Sequence, residues 1–191
     1  MRYDAAVSTF TQRLIGAARL DAATYEEVEA DHAATGQALV AVVLASLAAG
    51  VGASGQDAGL LAAVLAAVGA LLGWFMWALV VWFVGTRVLP EPQTQSDVGE
   101  LLRTTGFAAA PGLVRVLGIL PFLAVPIAVV VAFWMLAAMV VAVRQALDYA
   151  HTGRALVVCG IGLLAYLGVN VAIGVVFGAI QALLGAVSVP V

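Results

Sequence analysis

The sequence predicts an all-α polytopic membrane protein with five transmembrane helices preceded by a short N-terminal amphipathic helix. Hydrophobic residues make up 64% of the chain and charged residues only 10%, whereas a typical soluble domain is roughly half apolar and about a quarter charged. Long apolar stretches also follow one another with only short polar connections between them. A bilayer accommodates this much apolar surface, and a single soluble domain of 191 residues does not.

The N-terminal region, residues 1–35, is predicted to form a cytoplasmic amphipathic and acidic segment. Apolar side chains recur at helical spacing over residues 5–20. This pattern fits a helix in the headgroup layer and equally a helix that packs on the loops of the bundle. Thr24 and Glu27 match a capping box, and the helix that they begin is expected to continue unbroken into the first span.

The transmembrane bundle is assigned to residues 36–178, because a helix needs about 20 apolar residues to cross a roughly 30 Å hydrocarbon core. Pro121 and Pro126 bracket a short segment, and we expect a tight turn there because proline disfavours helix at the residue before it. Residues 179–191 are left as an apolar C-terminal tail. The five expected spans are 37–55, 59–84, 98–120, 127–147 and 155–177.

The arginines predict the orientation. All eight basic residues are arginines, and in a five-span topology seven of them fall on the side of the N-terminus. By the positive-inside rule the N-terminus is then cytoplasmic and the C-terminus outside. A four-span alternative would place Arg144 and Arg154 outside. Trp74, Trp77 and Trp82 end the second span, where an aromatic belt is expected at the interface.

The composition also excludes several function classes. The arginines are scattered singly and form no basic stripe, which argues against a nucleic-acid partner. Cys159 is the only cysteine and cannot form an internal disulfide or a metal site. No phosphate-binding glycine loop, no set of metal ligands and no nucleophile beside a base is present. The sequence therefore predicts no cofactor, no metal and no enzymatic activity.

Two polar residues lie within the predicted spans. Arg115 falls in the third span, where a charge costs at least a few kcal/mol by insertion scales. It either snorkels to the interface or makes a structural hydrogen bond, or it binds a lipid phosphate, another ligand or a permeating ion. Asn170 in the last span is the second candidate residue of an intramembrane lipid or ion site, although an interhelical hydrogen bond explains it as well.

A candidate partner-docking surface is expected on the cytoplasmic side. Acidic residues cluster near the N-terminus, and the connection between spans four and five carries further polar side chains. Arg144 and Asp148 are four residues apart and are expected to pair. Solvated capping charges and positive-inside anchoring explain the same pattern. The candidate docking residues are Glu26, Glu27, Glu29, Asp31, Arg144 and Asp148.

Two small-xxx-small patterns predict close helix packing. Gly69 and Gly73 lie in the second span, and Gly174 and Gly178 lie near the end of the last one. Such spacing lets two helices approach closely in a membrane.

Three segments resemble the Yip family of multi-pass membrane proteins. Residues 100–111, in which Gly106–Phe107 precedes Pro111, are similar to the entry into that family's third helix. Residues 134–147 are similar to its fourth helix, and residues 153–155 to the start of its fifth. The resemblance covers roughly 36–178. Because the Asp-Leu-Tyr-Gly-Pro signature of eukaryotic members is missing, the chain looks more like the bacterial branch.

The resemblance implies five closely spaced helices in a bacterial cytoplasmic membrane. Together with the small extramembrane mass, it indicates a non-catalytic scaffold or accessory subunit that binds lipids, other membrane proteins or further copies of itself. A small channel or transporter, including an oligomeric one, is the alternative function.

Overall fold

The computed structural model describes residues 2–54 and 60–187, which form helices and no strand. A π-helical turn, Val84–Val88, extends the fourth α-helix, and a 3-10 helix, Ala110–Ile119, follows the fifth. The α-helices of this part of the chain are α1 Arg2–Ala18, α2 Ala22–Ala30, α3 Ala34–Ser54, α4 Leu60–Phe83, α5 Val98–Phe107, α6 Pro121–Ala146 and α7 Thr152–Val187.

Four helical stretches are long and apolar enough to cross a membrane. They are Ala34–Ala53, Ala63–Val88, Pro121–Ala146 and Thr152–Val169. Large apolar side chains cover their outer surface; Phe122 and Leu164, for example, are 74% and 72% exposed. Such a surface is suited to lipid rather than to water. The predicted class, an integral membrane protein, is confirmed.

The third predicted span is not one continuous α-helix. α5 ends at Phe107, and Pro111 lies near the start of the 3-10 helix that follows. Because proline lacks the N–H that an α-helix needs in its interior, Pro111 removes one hydrogen bond of the α-helical ladder and favours its end before this position. The two pieces together nevertheless extend along the bundle, from Arg103 beside α2 to Gly118 beside the last turn of α3.

The predicted turn over 121–126 is wrong. The chain turns at Leu120, and α6 begins directly at Pro121. A proline at the first helical position costs little, because its missing N–H would have no partner there. Pro126 lies inside α6.

The predicted unbroken helix from the acidic segment into the first span is also wrong. α2 ends at Ala30, and the Asp31 carboxylate accepts a hydrogen bond of 2.9 Å from the Ala33 N–H, which holds a turn before α3. The N-cap of α2 is Asp21 rather than Thr24; its carboxylate accepts from the Thr24 hydroxyl at 2.7 Å. Aspartate is one of the strongest N-cap residues.

The N-terminal helices α1 and α2 pack onto the bundle and share its core. Tyr25 and Val28 of α2 are fully buried in one cluster with Phe107 of α5. On α1, the ring of Phe10 meets that of Phe107 edge to face, with 6.2 Å between ring centroids. The indole N–H of Trp134, halfway along α6, donates to the Ala18 carbonyl at 2.7 Å. The first two helices therefore contribute to the same core as α5 and α6.

Candidate functional site

Polar side chains gather at one end of the bundle. This polar end comprises α2 with the turn after it (21–33), the connection 89–97, and the end of α6 with the loop after it (144–151). Hydrogen bonds join its three parts: Gln145 donates to the Glu26 carboxylate at 2.7 Å, and Gln93 donates to the Asp148 carbonyl at 3.1 Å. The predicted docking residues of α2 and of the 144–148 region therefore share one surface.

Arg13 links α1 to the polar end. Its side chain is buried, and its Nη2 lies 2.8 Å from a Glu27 oxygen and 2.7 Å from an Asp31 oxygen. Its Nη1 donates to the Gln37 amide oxygen at 2.9 Å. The hydrogen bond from Arg13 lowers the pKa of the Asp31 carboxyl. Two of the predicted docking carboxylates are thus engaged within the chain, although the Glu27 side chain remains 57% exposed.

Arg103 joins α5 to α2. Only 3% of this residue is exposed, and its Nε donates to the Glu29 carbonyl at 2.8 Å. Its Nη1 also approaches Nδ1 of His32 to 3.5 Å. The helix that carries Arg103 is fixed by a capping box: Asp97 accepts from the Glu100 N–H at 2.8 Å, and Glu100 accepts from the Asp97 N–H at 3.0 Å.

Hydrogen bonds hold the loop 147–151 against the end of α4 and the π-helical turn that follows it. The Tyr149 hydroxyl donates to the carbonyls of Gly85 and Leu89, at 3.1 and 2.8 Å. Arg144 donates to the Tyr149 carbonyl at 3.2 Å. The predicted pair with Asp148 is not among the ion pairs of the described residues, because Asp148 adopts a left-handed conformation (φ 52°) just after α6 and the arginine caps the loop carbonyls instead.

Glu29 has the most perturbed carboxyl group of the polar end. Burial raises its pKa to about 7, and the charges of Asp148 and Glu100 act in the same direction, whereas Arg103 opposes them.

This pKa predicts how stability depends on pH. Between the ordinary value of 4.5 and about 7 the folded state binds more protons at Glu29 than the unfolded state does. The contribution of Glu29 to stability is therefore fully present below pH 4.5 and is lost as pH rises to about 7. Thermal unfolding in detergent should show this loss in the wild type and not in Glu29→Gln. Identical pH profiles for wild type and Glu29→Gln would contradict the assignment.

An apolar cavity of about 550 Å³ lies between α4, α6 and α7, beside the third segment. Arg115 of the 3-10 helix lines it, and the same residue lines a second cavity of about 410 Å³ between the ends of α3 and α6. The first cavity is lined by Val42, Gly69, Ala70, Gly73, Trp74, Trp77, Thr105, Ala109, Arg115, Ala132, Met135, Leu136, Met139, Leu163 and Tyr166.

The glycines of the two predicted small-xxx-small patterns differ in how closely another helix approaches them. A Cβ on Gly73 would lie 3.0 Å from the Tyr166 hydroxyl, so α4 and α7 approach closely there. A Cβ on Gly69 or on Gly178 would meet no atom within 4 Å. The backbones of Asn170 and Gly174 belong to α7, but the surroundings of these two residues, like residues 188–191 of the predicted tail, lie outside the description.

Sequence reasoning missed the close contact between α3 and the 3-10 helix. A Cβ on Gly52 would overlap the carbonyl oxygen of Arg115, and one on Gly118 would lie 3.0 Å from the Gly52 carbonyl oxygen. It also assigned Trp74 and Trp77 to an interfacial belt. Both are partly buried and donate inward, to the Thr105 hydroxyl at 3.2 Å and the Met139 sulfur at 3.1 Å.

These helices, their lipid-suited surface and the small polar end define a polytopic helical membrane protein. The chain matches the family model of the Yip1 domain over residues 21–173, which is most of its length. It belongs to the Yip family, and the resemblance of its sequence is confirmed. The match begins at Asp21, the N-cap of α2, so the domain includes the acidic helix as well as the spans. No curated protein and no solved structure matches the chain.

Proposed function

We propose that this Yip-family protein is a non-catalytic membrane scaffold or accessory subunit that binds other membrane proteins at its polar end. The observation that carries the proposal is the attachment of α2 to the bundle. Arg13 of α1 bonds to α2 and also to α3. Arg103 of α5 and Gln145 of α6 each donate a hydrogen bond to α2. A short acidic helix held at several points presents a fixed surface, and a preorganised surface loses little entropy on binding.

The side chains of this surface suit a polar partner. Glu26 and Asp148 are exposed, and Glu27 is largely so. Exposed charges of one sign steer and select a partner of the opposite sign more than they add affinity. We therefore expect the partner to present basic side chains to α2 and Asp148, near the membrane surface.

The same proposal includes an orientation. Arg87, Arg103, Arg144 and Arg154 lie at or next to the polar end, which favours a cytoplasmic location for it. Residues 98–119 then act as an interrupted fifth crossing, with the C-terminus on the other side. The family resemblance favours the cytoplasmic membrane of a bacterium.

Photo-crosslinking in native membranes tests the proposed surface. A photoreactive amino acid in place of Ala30, which is exposed on α2, should yield a discrete adduct with another membrane protein. The matched control is Leu164, which is 72% exposed on the apolar surface of α7 and should react mainly with lipid. Equal protein adducts from both positions, or none from Ala30, would overturn the assignment of the polar end.

Transport is the second candidate function. Its support is the interruption between α5 and the 3-10 helix beside a cavity that Arg115 lines, because transporters place broken helices at their substrate sites. Ion or solute flux into liposomes, abolished by Arg115→Ala in a well-folded protein, would establish it. Absence of flux from well-folded wild type would exclude it for the solutes tested.

A further inference from the structure

The cavity between α4, α6 and α7 is open to the side of the bundle. Ala132, Leu136 and Leu163 line it and are exposed. Its volume of about 550 Å³ falls within the roughly 300–1,000 Å³ of ligand pockets. Apart from Thr105, Arg115, Tyr166 and the indole N–H groups of two tryptophans, its lining is hydrocarbon or methionine sulfur. An apolar chain from the surrounding bilayer can enter such a space without desolvating a polar group.

The cavity is about as long as one leaflet is thick. Along the third segment its lining runs from Thr105 to Arg115, a rise of roughly 15–20 Å for a segment that changes from α to 3-10 geometry. Half of the hydrocarbon core is about 15 Å thick. Arg115 lies about 8 Å from the end of the 3-10 helix by the rise of that helix, so it marks the cavity's end nearer the surface opposite the polar end.

Arg115 is a charged group without a counterion in the described chain. No hydrogen bond or ion pair of its guanidinium occurs among residues 2–54 and 60–187. The buried arginines at the polar end, Arg13 and Arg103, are by contrast held by carboxylates and a carbonyl. A guanidinium at membrane depth is costly unless an anion or water accompanies it.

We infer that this cavity is a binding site for an anionic phospholipid. One acyl chain occupies the space between α4, α6 and α7, and the phosphate pairs with Arg115. The planar guanidinium donates two parallel hydrogen bonds to phosphate oxygens, which makes arginine a favoured phosphate ligand. The inference does not depend on the scaffold function, because it rests on the other end of the bundle.

Lipid binding to the purified full-length protein in mild detergent tests this site. Native mass spectrometry compares retained phosphatidylglycerol with phosphatidylcholine. Phosphatidylglycerol and phosphatidylcholine with brominated chains quench the tryptophans, of which Trp74 and Trp77 line the cavity. The wild type should prefer phosphatidylglycerol. Arg115→Gln should lose about tenfold of that preference, as expected for a charge-assisted hydrogen bond, whereas Arg115→Lys should retain most of it. Arg87→Gln, an exposed arginine elsewhere, should change nothing.

A cavity-filling variant separates the chain site from the charge. A Cβ on Gly69 meets no atom within 4 Å, so Gly69→Leu extends into the cavity and should reduce quenching by both lipids. Gly160→Leu on α7 has equally open surroundings outside the cavity and is its control. Equal binding of the two lipids by the wild type, an unchanged preference in Arg115→Gln, or binding of free fatty acid in place of phospholipid would each overturn the inference.

Discussion

Replacing Gly52 with valine is expected to lower the free energy of unfolding by about 3 kcal/mol, the upper part of the range for overpacked sites. The new Cβ would overlap the Arg115 carbonyl oxygen. The obstacle is backbone rather than the end of a flexible side chain, so α3 and the 3-10 helix must separate. Gly118 also packs closely on Gly52, because a Cβ built on it would lie 3.0 Å from the Gly52 carbonyl oxygen, and this contact would be lost as well.

Unfolding by a graded increase of denaturing detergent measures this effect. Gly50→Val is the matched control, because it puts the same β-branched side chain two residues away, where a Cβ meets no atom within 4 Å. The helix-propensity term is then the same in both variants. Equal stability of Gly52→Val and Gly50→Val would contradict the close packing of α3 on the 3-10 helix.

Replacing Arg103 with methionine is expected to lower the free energy of unfolding by about 2–3 kcal/mol. This is the contribution of a hydrogen bond from a charged group together with the penalty for a buried carbonyl that loses its donor. Methionine retains much of the aliphatic volume but none of the donors. The Glu29 carbonyl loses its partner, and the Glu29 carboxyl loses the positive charge that opposes its raised pKa. The turn between α2 and α3 should loosen, because Arg103 also approaches His32.

Thermal unfolding in mild detergent, with hydrogen exchange of residues 21–33, measures the result. Arg87→Met removes a guanidinium that is exposed at the end of the π-helical turn and should leave both readouts unchanged. If Arg103→Met were as stable as Arg87→Met, the attachment of α2 to α5 through Arg103 would be unimportant.

The sequence predicted the parts of the fold that hydropathy determines. A run of apolar residues without charge has one stable environment, the bilayer, so the spans near α3, α4, α6 and α7 were found. The ends of the helices were predicted less accurately, because more than one residue near each end can serve as its cap. Thr24 fits the pattern, but Asp21 is the better acceptor and begins the helix earlier.

The tertiary interactions could not be predicted from the chain alone. A small-xxx-small pattern describes one helix, whereas the closest approach joins Gly52 to Arg115 and Gly118 on different segments. The partners of the arginines could not be predicted either. Arg13 and Arg103 find partners that are 14 and 74 residues distant, and hydropathy contains no information on such pairs. Trp74 and Trp77 turned inward for the same reason, since their acceptors lie on α5 and α6.

We propose that the polar end recruits another membrane protein. Purification of the tagged protein from native membranes in mild detergent, followed by mass spectrometry and native mass determination, tests it most directly. Glu26→Gln keeps an acceptor for Gln145 while removing the charge, and Glu26→Lys reverses that charge at an exposed position. We expect the wild type to retain a stoichiometric partner. The Glu26→Gln variant should bind this partner more weakly, and the Glu26→Lys variant should lose it. A lone monomer or homo-oligomer from all three would contradict the proposal.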